Sequence, residues 1–218
     1  MAPTQIAIYG AGGFAREVAW LVEDISKKQS FQVVCFIDDD EASHGTVLND
    51  VPVMGLTEAR MRFPTARVAG GIGSPQIREK VMQKAAAAGF EPATLIHPRI
   101  EHSRWIEMGP GAVICAGNIL TVNITLGAHV QINLDCTIGH DVVMGDYATL
   151  APGVHVSGWA HLGKRVYVGS GAVILQGAHD APLTLGDDAV IGAGAVVTKP
   201  VPPGVTVVGV PARPLQKG

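Results

Sequence analysis

The sequence is poor in aromatic and charged side chains, which make up 5% and 16% of its 218 residues. Disordered chains combine low hydrophobicity with high charge, whereas 47% of these residues are hydrophobic and few are charged. The composition therefore excludes an intrinsically disordered chain. The formal net charge of -3 provides no basic surface, so no nucleic acid partner is predicted. No apolar run approaches the roughly 18 residues that a spanning helix needs. We therefore predict no membrane span.

Cysteine is scarce as well, and nothing at the start of the chain suggests export. The three cysteines, Cys35, Cys115 and Cys136, lie in apolar surroundings without C-x-x-C spacing. This pattern favours small core residues in a reducing compartment over a disulfide framework. The first residues lack the charged and apolar regions of a secretory signal. Together these features predict a cytoplasmic protein.

Glycine is abundant, and its distribution divides the chain near residue 107. Residues 1–107 contain 24 charged side chains and 9 glycines, whereas residues 108–198 contain 8 and 15. Ordinary cores use aromatic rings as bulky fillers. A segment with many small aliphatic residues and few rings is typical of a narrow, repeated interior. Two domains of different architecture are predicted.

The second part has a period of six residues. Every sixth residue from 108 to 174 is aliphatic or methionine: Met108, Ile114, Leu120, Leu126, Ile132, Ile138, Met144, Leu150, Val156, Leu162, Val168 and Ile174. The following residue is often glycine, where we expect a turn with positive φ. A six-residue period predicts a parallel β-helix, in which three hexapeptides close one triangular coil and residues 18 apart lie above one another. A β-sandwich would instead show a period of two.

The period also sets the predicted domain boundaries. We expect an α/β domain over 1–95, a junction over 96–107, the β-helix over 108–199 and a C-terminal tail over 200–218. The phase breaks at 176–183, which predicts a small loop pushed out of the coil. Prolines cannot continue a β ladder, so the tail is expected to leave the last coil and fold along it.

The first part alternates strand and helix patterns. Strands are predicted at 5–9, 31–37 and 68–71, and helices at 16–26 and 75–88. This βαβ order predicts a parallel sheet that corresponds to half of a Rossmann fold.

A glycine-rich loop follows the first predicted strand and opens the first helix. Gly10, Gly12 and Gly13 belong to a G-x-G-x-x-A pattern, and Asp38 ends the next strand. In such a loop the backbone N–H groups hold phosphate and the acid holds ribose. One half-domain favours a mononucleotide diphosphate over NAD, and a tight turn without a ligand is the structural alternative. Gly73, in a second glycine-rich turn, is a further candidate for phosphate or sugar binding, or belongs to a plain helix cap.

His140 and Asp141 form the most informative pair in the repeat. Histidine can take a proton near neutral pH, and an adjacent carboxylate can orient its ring and stabilise its charged form. Gly158 lies 18 residues after His140, so a bare backbone amide is expected beside the base as an oxyanion donor. The structural alternative is a solvated histidine with an unrelated neighbour.

Other polar residues of the repeat support weaker interpretations. Asn133 fits a structural ladder of side chains, and Arg213 could contact a phosphate or simply belong to the C-terminal cap. His155, His161 and His179 raise the question of a metal, since His161 and His179 are 18 apart and are expected to stack. A zinc site needs three convergent ligands with an ordered second shell. No acidic partner set accompanies these histidines, so no metal is predicted.

The hexapeptide run, together with segments 191–199 and 209–213, resembles the left-handed β-helix acyltransferases. With the half-Rossmann domain in front, the chain resembles the sugar acyltransferases that include sialic acid O-acetyltransferases and nucleotide-linked amino-sugar N-acetyltransferases. The resemblance covers nearly the whole chain. It implies a homotrimer with acetyl-CoA lying between adjacent β-helices.

The resemblance also implies roles for single residues of the repeat. His140 matches the catalytic base, and Asp141 the acid that assists it. Asn133 matches an asparagine near the acceptor, and Gly158 a glycine whose amide meets the thioester carbonyl.

In the first domain, Gly10, Gly12, Gly13 and Asp38 match the nucleotide-sugar loop and strand end of the family. The expected function is acetyl-CoA-dependent transfer of an acetyl group to an amine or hydroxyl of a sugar, expected to be nucleotide-linked, in surface-glycan synthesis. An O-acetyltransferase acting on sialic acid or a polysaccharide is the alternative within the family. A γ-type carbonic anhydrase and a non-catalytic nucleotide-sugar-binding protein are the alternatives outside it.

Overall fold

The computed structural model describes residues 2–215, and these form two compact units that divide between Pro98 and Arg99. The elements of the first unit are β1 (Thr4–Tyr9), α1 (Gly13–Ser26), β2 (Phe31–Ile37), a 3-10 turn (Glu41–Ser43), β3 (Val47–Leu48), β4 (Val51–Met54), α2 (Leu56–Arg62), β5 (Arg67–Gly70), α3 (Pro75–Ala87), β6 (Glu91–Pro92) and β7 (Leu95–Ile96).

The first unit is built around a sheet with strand order β3-β4-β2-β1-β5-β6. The strands from β4 to β6 are parallel, and β3 joins them through an antiparallel pairing with β4. The predicted α/β domain with a parallel sheet is confirmed. β2 and β5 lie on opposite sides of β1, so the strand order reverses there. Such a switch point is where open parallel sheets bind ligands, at the carboxyl ends of the strands.

Helix α1 forms because its apolar residues recur at helical spacing. The buried positions are Ala15, Val18, Ala19, Leu21, Val22 and Ile25. This apolar side packs against β1 and β2. The helix begins immediately after the glycine loop, with Gly12 as the N-cap residue in an extended conformation. The packing therefore holds the glycine loop at the end of β1.

The second unit is a stack of short strands. They are β8 (Glu101–His102), β9 (Ile106–Met108), β10 (Val113–Ile114), β11 (Ile119–Leu120), β12 (Ile124–Leu126), β13 (Gln131–Ile132), β14 (Thr137–Ile138), β15 (Val143–Met144), β16 (Thr149–Leu150), β17 (His155–Val156), β18 (Ala160–Leu162), β19 (Tyr167–Val168), β20 (Val173–Ile174), β21 (Leu183–Leu185), β22 (Val190–Ile191), β23 (Val196–Val197), β24 (Thr206–Val208) and β25 (Arg213–Pro214).

These strands form three parallel sheets, one along each side of the coil. The sheets run β10-β13-β16-β19-β22-β24, β8-β11-β14-β17-β20-β23 and β9-β12-β15-β18-β21. Residues 18 apart pair in register, as Ile132 does with Leu150. Of the twelve residues that set the six-residue period, all but Met108 are buried. The predicted parallel β-helix is confirmed.

The 176–183 segment leaves the coil and changes its register. Leu162 pairs with Leu185, an offset of 23 rather than 18, because the loop adds residues outside the coil. His161 therefore pairs with Thr184. The prediction that His161 and His179 stack is wrong for this reason.

The structure corrects the reason for the repeated glycines. Positive φ falls on the third residue after each aliphatic position, at Gly111, Gly117, Asn123, His129, Asp135, Asp141, Tyr147, Gly153, Trp159, Arg165 and Gly171. The glycine that directly follows the aliphatic residue is required by close approach of the next coil. A Cβ at Gly145, for example, would lie 2.8 Å from Gly163 C and Lys164 N.

Replacing Gly145 with alanine should therefore destabilise the β-helix. The added methyl group has to push apart two backbones that hydrogen bonds hold together, which costs about 1–3 kcal/mol for an overpacked site. We expect the thermal midpoint to fall by about 2–4 °C per kcal/mol. Gly73→Ala is the control, because no atom lies within 4 Å of a Cβ there. An unchanged midpoint for Gly145→Ala would contradict the close-approach explanation.

The C-terminal segment differs from the sequence expectation. β24 pairs in parallel with β22, so the ladder continues beyond residue 199. β25 then pairs antiparallel with β24. Pro202 and Pro203 precede β24 in the connecting segment, where no ladder hydrogen bond is required of them. The prolines thus shape the last connection without ending the coil.

Candidate active site

His140 and Asp141 lie on the corner that connects β14 to β15. Asp141 occupies the positive-φ position of this corner, with φ 57. Its Oδ2 lies 2.8 Å from His140 Nδ1. With the proton on Nδ1, the ring donates to the carboxylate and Nε2 keeps its lone pair. The His140 side chain is 44% exposed, so this nitrogen can reach a substrate.

Gly158 lies against the His140 ring, as the 18-residue spacing predicts. A Cβ at Gly158 would lie 2.5 Å from His140 Nε2 and 2.9 Å from Nδ1, so the imidazole packs on bare backbone. Gly158 is buried. Within residues 2–215, no group accepts a hydrogen bond from its N–H. Buried N–H groups without a partner are rare. This one is available to an oxygen atom of a bound molecule.

Asn123 extends the site on the preceding coil, and the sequence interpretation missed it. Its Nδ2 donates to Asp141 Oδ1 over 3.3 Å. Asn123 also lines a cavity of about 320 Å³, together with Arg104 and Trp105. Asp141 therefore contacts His140 on one side and Asn123 on the other. The signal that could have found Asn123 is its position 18 residues before Asp141.

Asp141→Asn should slow catalysis without unfolding the coil. An amide cannot neutralise a protonated His140 and can turn its NH₂ toward Nδ1, so we expect kcat to fall roughly 10- to 100-fold. Steady-state kinetics and a melting curve check this. Asp135→Asn is the matched control, because Asp135 holds the same turn position one hexapeptide earlier, with φ 58. Equal losses in both variants would contradict a specific role for Asp141.

Trp159 and His179 form a second feature that the sequence interpretation did not assign. The Trp159 indole meets the His140 ring edge-on, with centroids 6.2 Å apart and an angle of 81°. His179, in the 176–183 loop, meets Trp159 at 4.9 Å and 80°. Trp159 lies 18 residues after Asp141, so its place on this corner was predictable. The contact with His179 depends on the loop and was not.

Asn133 and Arg213 lie elsewhere within the chain. Asn133 is on the corner between β13 and β14, where its side chain is buried and Nδ2 donates to Leu150 O over 2.7 Å. Arg213 lies in β25 and lines a cavity of about 270 Å³ with Lys199. The structure of one chain does not bring either residue to the corner of His140.

In the first unit, the two glycine turns lie side by side at the carboxyl ends of β1 and β5. Gly10 has φ 117, and a Cβ there would lie 3.0 Å from Gly71 O. No atom lies within 4 Å of a Cβ at Gly12 or Gly73, and the nearest atom to one at Gly13 is Arg16 Nη2 at 3.9 Å. Open space therefore adjoins both turns. The N–H groups at the start of α1 face no capping side chain and suit an anion.

Asp38 follows β2 and lies on the same edge of the sheet. Its Oδ1 accepts a hydrogen bond from Asp40 N at 2.9 Å, and its carbonyl oxygen is 2.9 Å from His44 Nε2. The neighbouring Asp39 accepts a hydrogen bond from Tyr9 Oη at 2.6 Å. Its ion pair with Lys84 lowers the pKa of the Asp39 carboxyl. These contacts hold the 38–40 segment against β1 and α3.

Residues 2–215 contain neither a metal-binding cluster nor a membrane-spanning helix. No group of three or more histidine, cysteine, aspartate or glutamate side chains is arranged to hold a metal ion. No helix in this range is long and apolar enough to cross a membrane. Cys35 and Cys136 are buried, and burial raises the pKa of their thiols to about 12 and about 11. These thiols are therefore poor nucleophiles.

Comparison with known proteins shows two family matches and similarity to a relative over nearly the full length of the chain. Residues 5–85 match the PglD N-terminal domain, and residues 141–176 match the bacterial transferase hexapeptide (six repeats). GDP-perosamine N-acetyltransferase of Escherichia coli O157:H7 is 35% identical over 214 residues, which cover 96% of this chain and 96% of the relative.

Solved structures show the same similarity over nearly the full length. PerB from Caulobacter crescentus, in complex with CoA and GDP-perosamine, has a TM-score of 0.87 at 28% identity and covers 99% of both chains. The acetyltransferase domain of PglB from Neisseria gonorrhoeae FA1090, in complex with acetyl coenzyme A, has a TM-score of 0.85 at 30% identity. That match covers 98% of this chain and 100% of the domain.

Proposed function

This chain belongs to the hexapeptide-repeat sugar N-acetyltransferases with a PglD-type N-terminal domain, and on that premise we propose its reaction and the residues that perform it. The reaction is transfer of the acetyl group of acetyl-CoA to the amino group of a nucleotide-linked amino sugar of the perosamine type. His140 is the general base. The choice of these two substrates is supported by the similar GDP-perosamine N-acetyltransferase and by the acetyl coenzyme A, CoA and GDP-perosamine bound in similar structures.

The arrangement of His140, Asp141 and Gly158 supports the proposal most directly. A base with a free Nε2 lies against a backbone amide that lacks an acceptor. Acyl transfer needs both of these groups within about 3 Å of one reacting centre. His155, in β17, instead has its Nδ1 2.8 Å from the Thr137 hydroxyl oxygen.

The residues act in the following order in the proposed mechanism. His140 Nε2 accepts the proton of the sugar amine as the nitrogen attacks the thioester carbon. The Gly158 N–H donates to the carbonyl oxygen, where negative charge develops. Asp141 stabilises the imidazolium that forms. When the C–S bond breaks, His140 returns the proton to the thiolate, which leaves as the free thiol of CoA.

The first unit is proposed to bind the nucleotide. The N–H groups of the loop at Gly10, Gly12 and Gly13 would hold the diphosphate, with Gly73 lining the adjacent turn. Asp38, on the same edge, would accept a hydrogen bond from a ribose hydroxyl. The open space beside Gly12, Gly13 and Gly73 supports this assignment.

We further propose a homotrimer in which CoA binds between adjacent β-helices. Arg213 and Lys199 line one cavity and would pair with a phosphate group of CoA. Asn133, on a different corner from His140, would approach the acceptor from a neighbouring subunit. Acetyl-CoA is a cytoplasmic metabolite, so we infer that the enzyme works in the cytoplasm.

A thiol-release assay tests the proposed function. The full chain is mixed with acetyl-CoA and one acceptor at a time: a GDP-linked 4-amino-4,6-dideoxy sugar, the matching 4-hydroxy sugar, a UDP-linked 4-amino sugar and free sialic acid. We expect rapid release of free CoA with the GDP-linked amine and only background hydrolysis with the 4-hydroxy sugar. Faster release with the hydroxyl acceptor or with sialic acid would point to O-acetylation and contradict the proposal.

A further inference from the structure

The 176–183 loop is hydrogen-bonded to Gly158 and Trp159, two residues that lie against the His140 ring. Gly177 N donates to Gly158 O over 3.0 Å, and Leu183 N donates to Trp159 O over 2.9 Å. A Cβ at Gly177 would collide with both Trp159 O and Leu183 N, so this position requires glycine. The loop therefore leaves the coil beside Gly158 and returns beside Trp159.

The tip of the loop is closed on itself and carries His179 to the indole of Trp159. Ala178 and Ala181 exchange two backbone hydrogen bonds, of 3.0 Å and 3.1 Å. His179 then packs edge-on against Trp159 at 4.9 Å, while Trp159 meets His140 at 6.2 Å. The indole is thus held between the candidate base and the loop.

Trp159 occupies a backbone position that does not favour a bulky residue. Its φ is 57, at a turn position that is Gly153 in the preceding hexapeptide and Arg165 in the next one. Tyr147 and Arg165 occupy the same turn position elsewhere in the coil, so φ alone does not single out Trp159. Its ring contacts with His140 and His179 are what point to a role in the site.

We propose that Trp159, held in place by His179, forms the wall beside the transferred acyl group and restricts the enzyme to acetyl. The inference rests on the proposed function, in which the acyl carbon lies beside His140 Nε2 and the Gly158 N–H. The indole lies next to these groups, since it follows Gly158 in the chain and meets the His140 ring edge-on with centroids 6.2 Å apart. In an apolar pocket each additional methylene changes kcat/KM by about 10–200-fold. A fixed wall therefore selects against longer acyl chains.

Acyl-donor selectivity tests this inference. The kcat/KM values for acetyl-, propionyl- and butyryl-CoA are measured with the GDP-linked amine for the full-length wild type, Trp159→Ala, Trp159→Phe and His179→Ala. Trp20→Ala is the matched control, because Trp20 is exposed on α1 and lies outside the second unit. We expect the butyryl-to-acetyl ratio to rise at least about tenfold in Trp159→Ala. A smaller rise is expected in His179→Ala and none in Trp20→Ala.

The possible outcomes separate this inference from the proposed function. If the wild type acetylates the amine but the ratio in Trp159→Ala stays within about twofold of the wild type, the inference is overturned and the function stands. If Trp159→Ala does not fold or is inactive with every donor, the test falls to Trp159→Phe and His179→Ala. Unchanged butyryl-to-acetyl ratios in both of these variants would overturn the inference. A wild type that uses butyryl-CoA as well as acetyl-CoA also overturns it. A wild type without any acyl transfer overturns both.

Discussion

Replacing His140 with alanine is expected to lower kcat by about 10²–10⁴-fold while leaving the fold and the acetyl-CoA KM nearly unchanged. Nε2 is the atom that takes the proton from the attacking amine, and no other imidazole lies on the Gly158 amide in the described chain. Stopped assays of thiol release measure the rate, and circular dichroism checks the fold.

The control for this substitution is His102→Ala. His102 is exposed, and its Nδ1 contacts Ser103 O at 3.0 Å, away from the His140 corner. Its replacement should leave kcat within about twofold of the wild type. Near-normal turnover of His140→Ala would contradict the assignment of the base, whatever the control shows.

Replacing Gly158 with alanine is expected to lower kcat by about 10²–10³-fold, because the backbone N–H is retained but the base is displaced. The new methyl group would lie 2.5 Å from His140 Nε2 and 2.9 Å from Nδ1. The imidazole therefore has to move away, and the methyl group narrows access to the Gly158 N–H. The rate is measured with saturating acetyl-CoA, and melting curves check the stability.

A double-variant cycle shows whether the Gly158 methyl group acts through His140. In a His140→Ala background the ring is absent and the methyl group has room. Gly158→Ala should then cost much less than it does in the wild type, because the two effects are not additive. Full additivity of the two losses would show that the methyl group does not act by displacing the ring.

The six-residue period made most of the β-helix predictable. Residues such as Ile132 and Leu150 are 18 apart in sequence and pair in the coil, so the arithmetic fixes which residues are neighbours. The 18-residue spacing predicted that Gly158 lies beside the ring of His140. The same spacing would also have placed Asn123 and Trp159 on the corner of Asp141. A repeat of fixed length converts sequence distance directly into spatial distance.

The same arithmetic fails where residues leave the coil. His161 and His179 are 18 apart but do not meet, because the 176–183 loop lies outside the repeat and shifts the register. The tip contact between His179 and Trp159 follows from how the loop folds back. No periodic pattern encodes a contact of this kind, and spacing alone therefore cannot locate it.

Glycine patterns showed where the turns are but not why glycine is needed. Gly145 directly follows its aliphatic residue because the next coil passes too close for a Cβ, whereas positive φ falls two residues later, at Tyr147. In the first unit the loop at Gly10 was recognisable from its motif. The hydrogen bond from Tyr9 to Asp39 joins the end of β1 to the segment that follows β2 and depends on tertiary packing.

Identification of the reaction product tests whether the chain transfers an acetyl group to a sugar nitrogen. The full-length wild type is incubated with acetyl-CoA and the GDP-linked 4-amino-4,6-dideoxy sugar, and the purified sugar is examined by mass spectrometry and proton NMR. We expect one added acetyl group, joined to the sugar nitrogen as an amide. An acetyl ester on a sugar hydroxyl, or recovery of the unmodified amine, would contradict it.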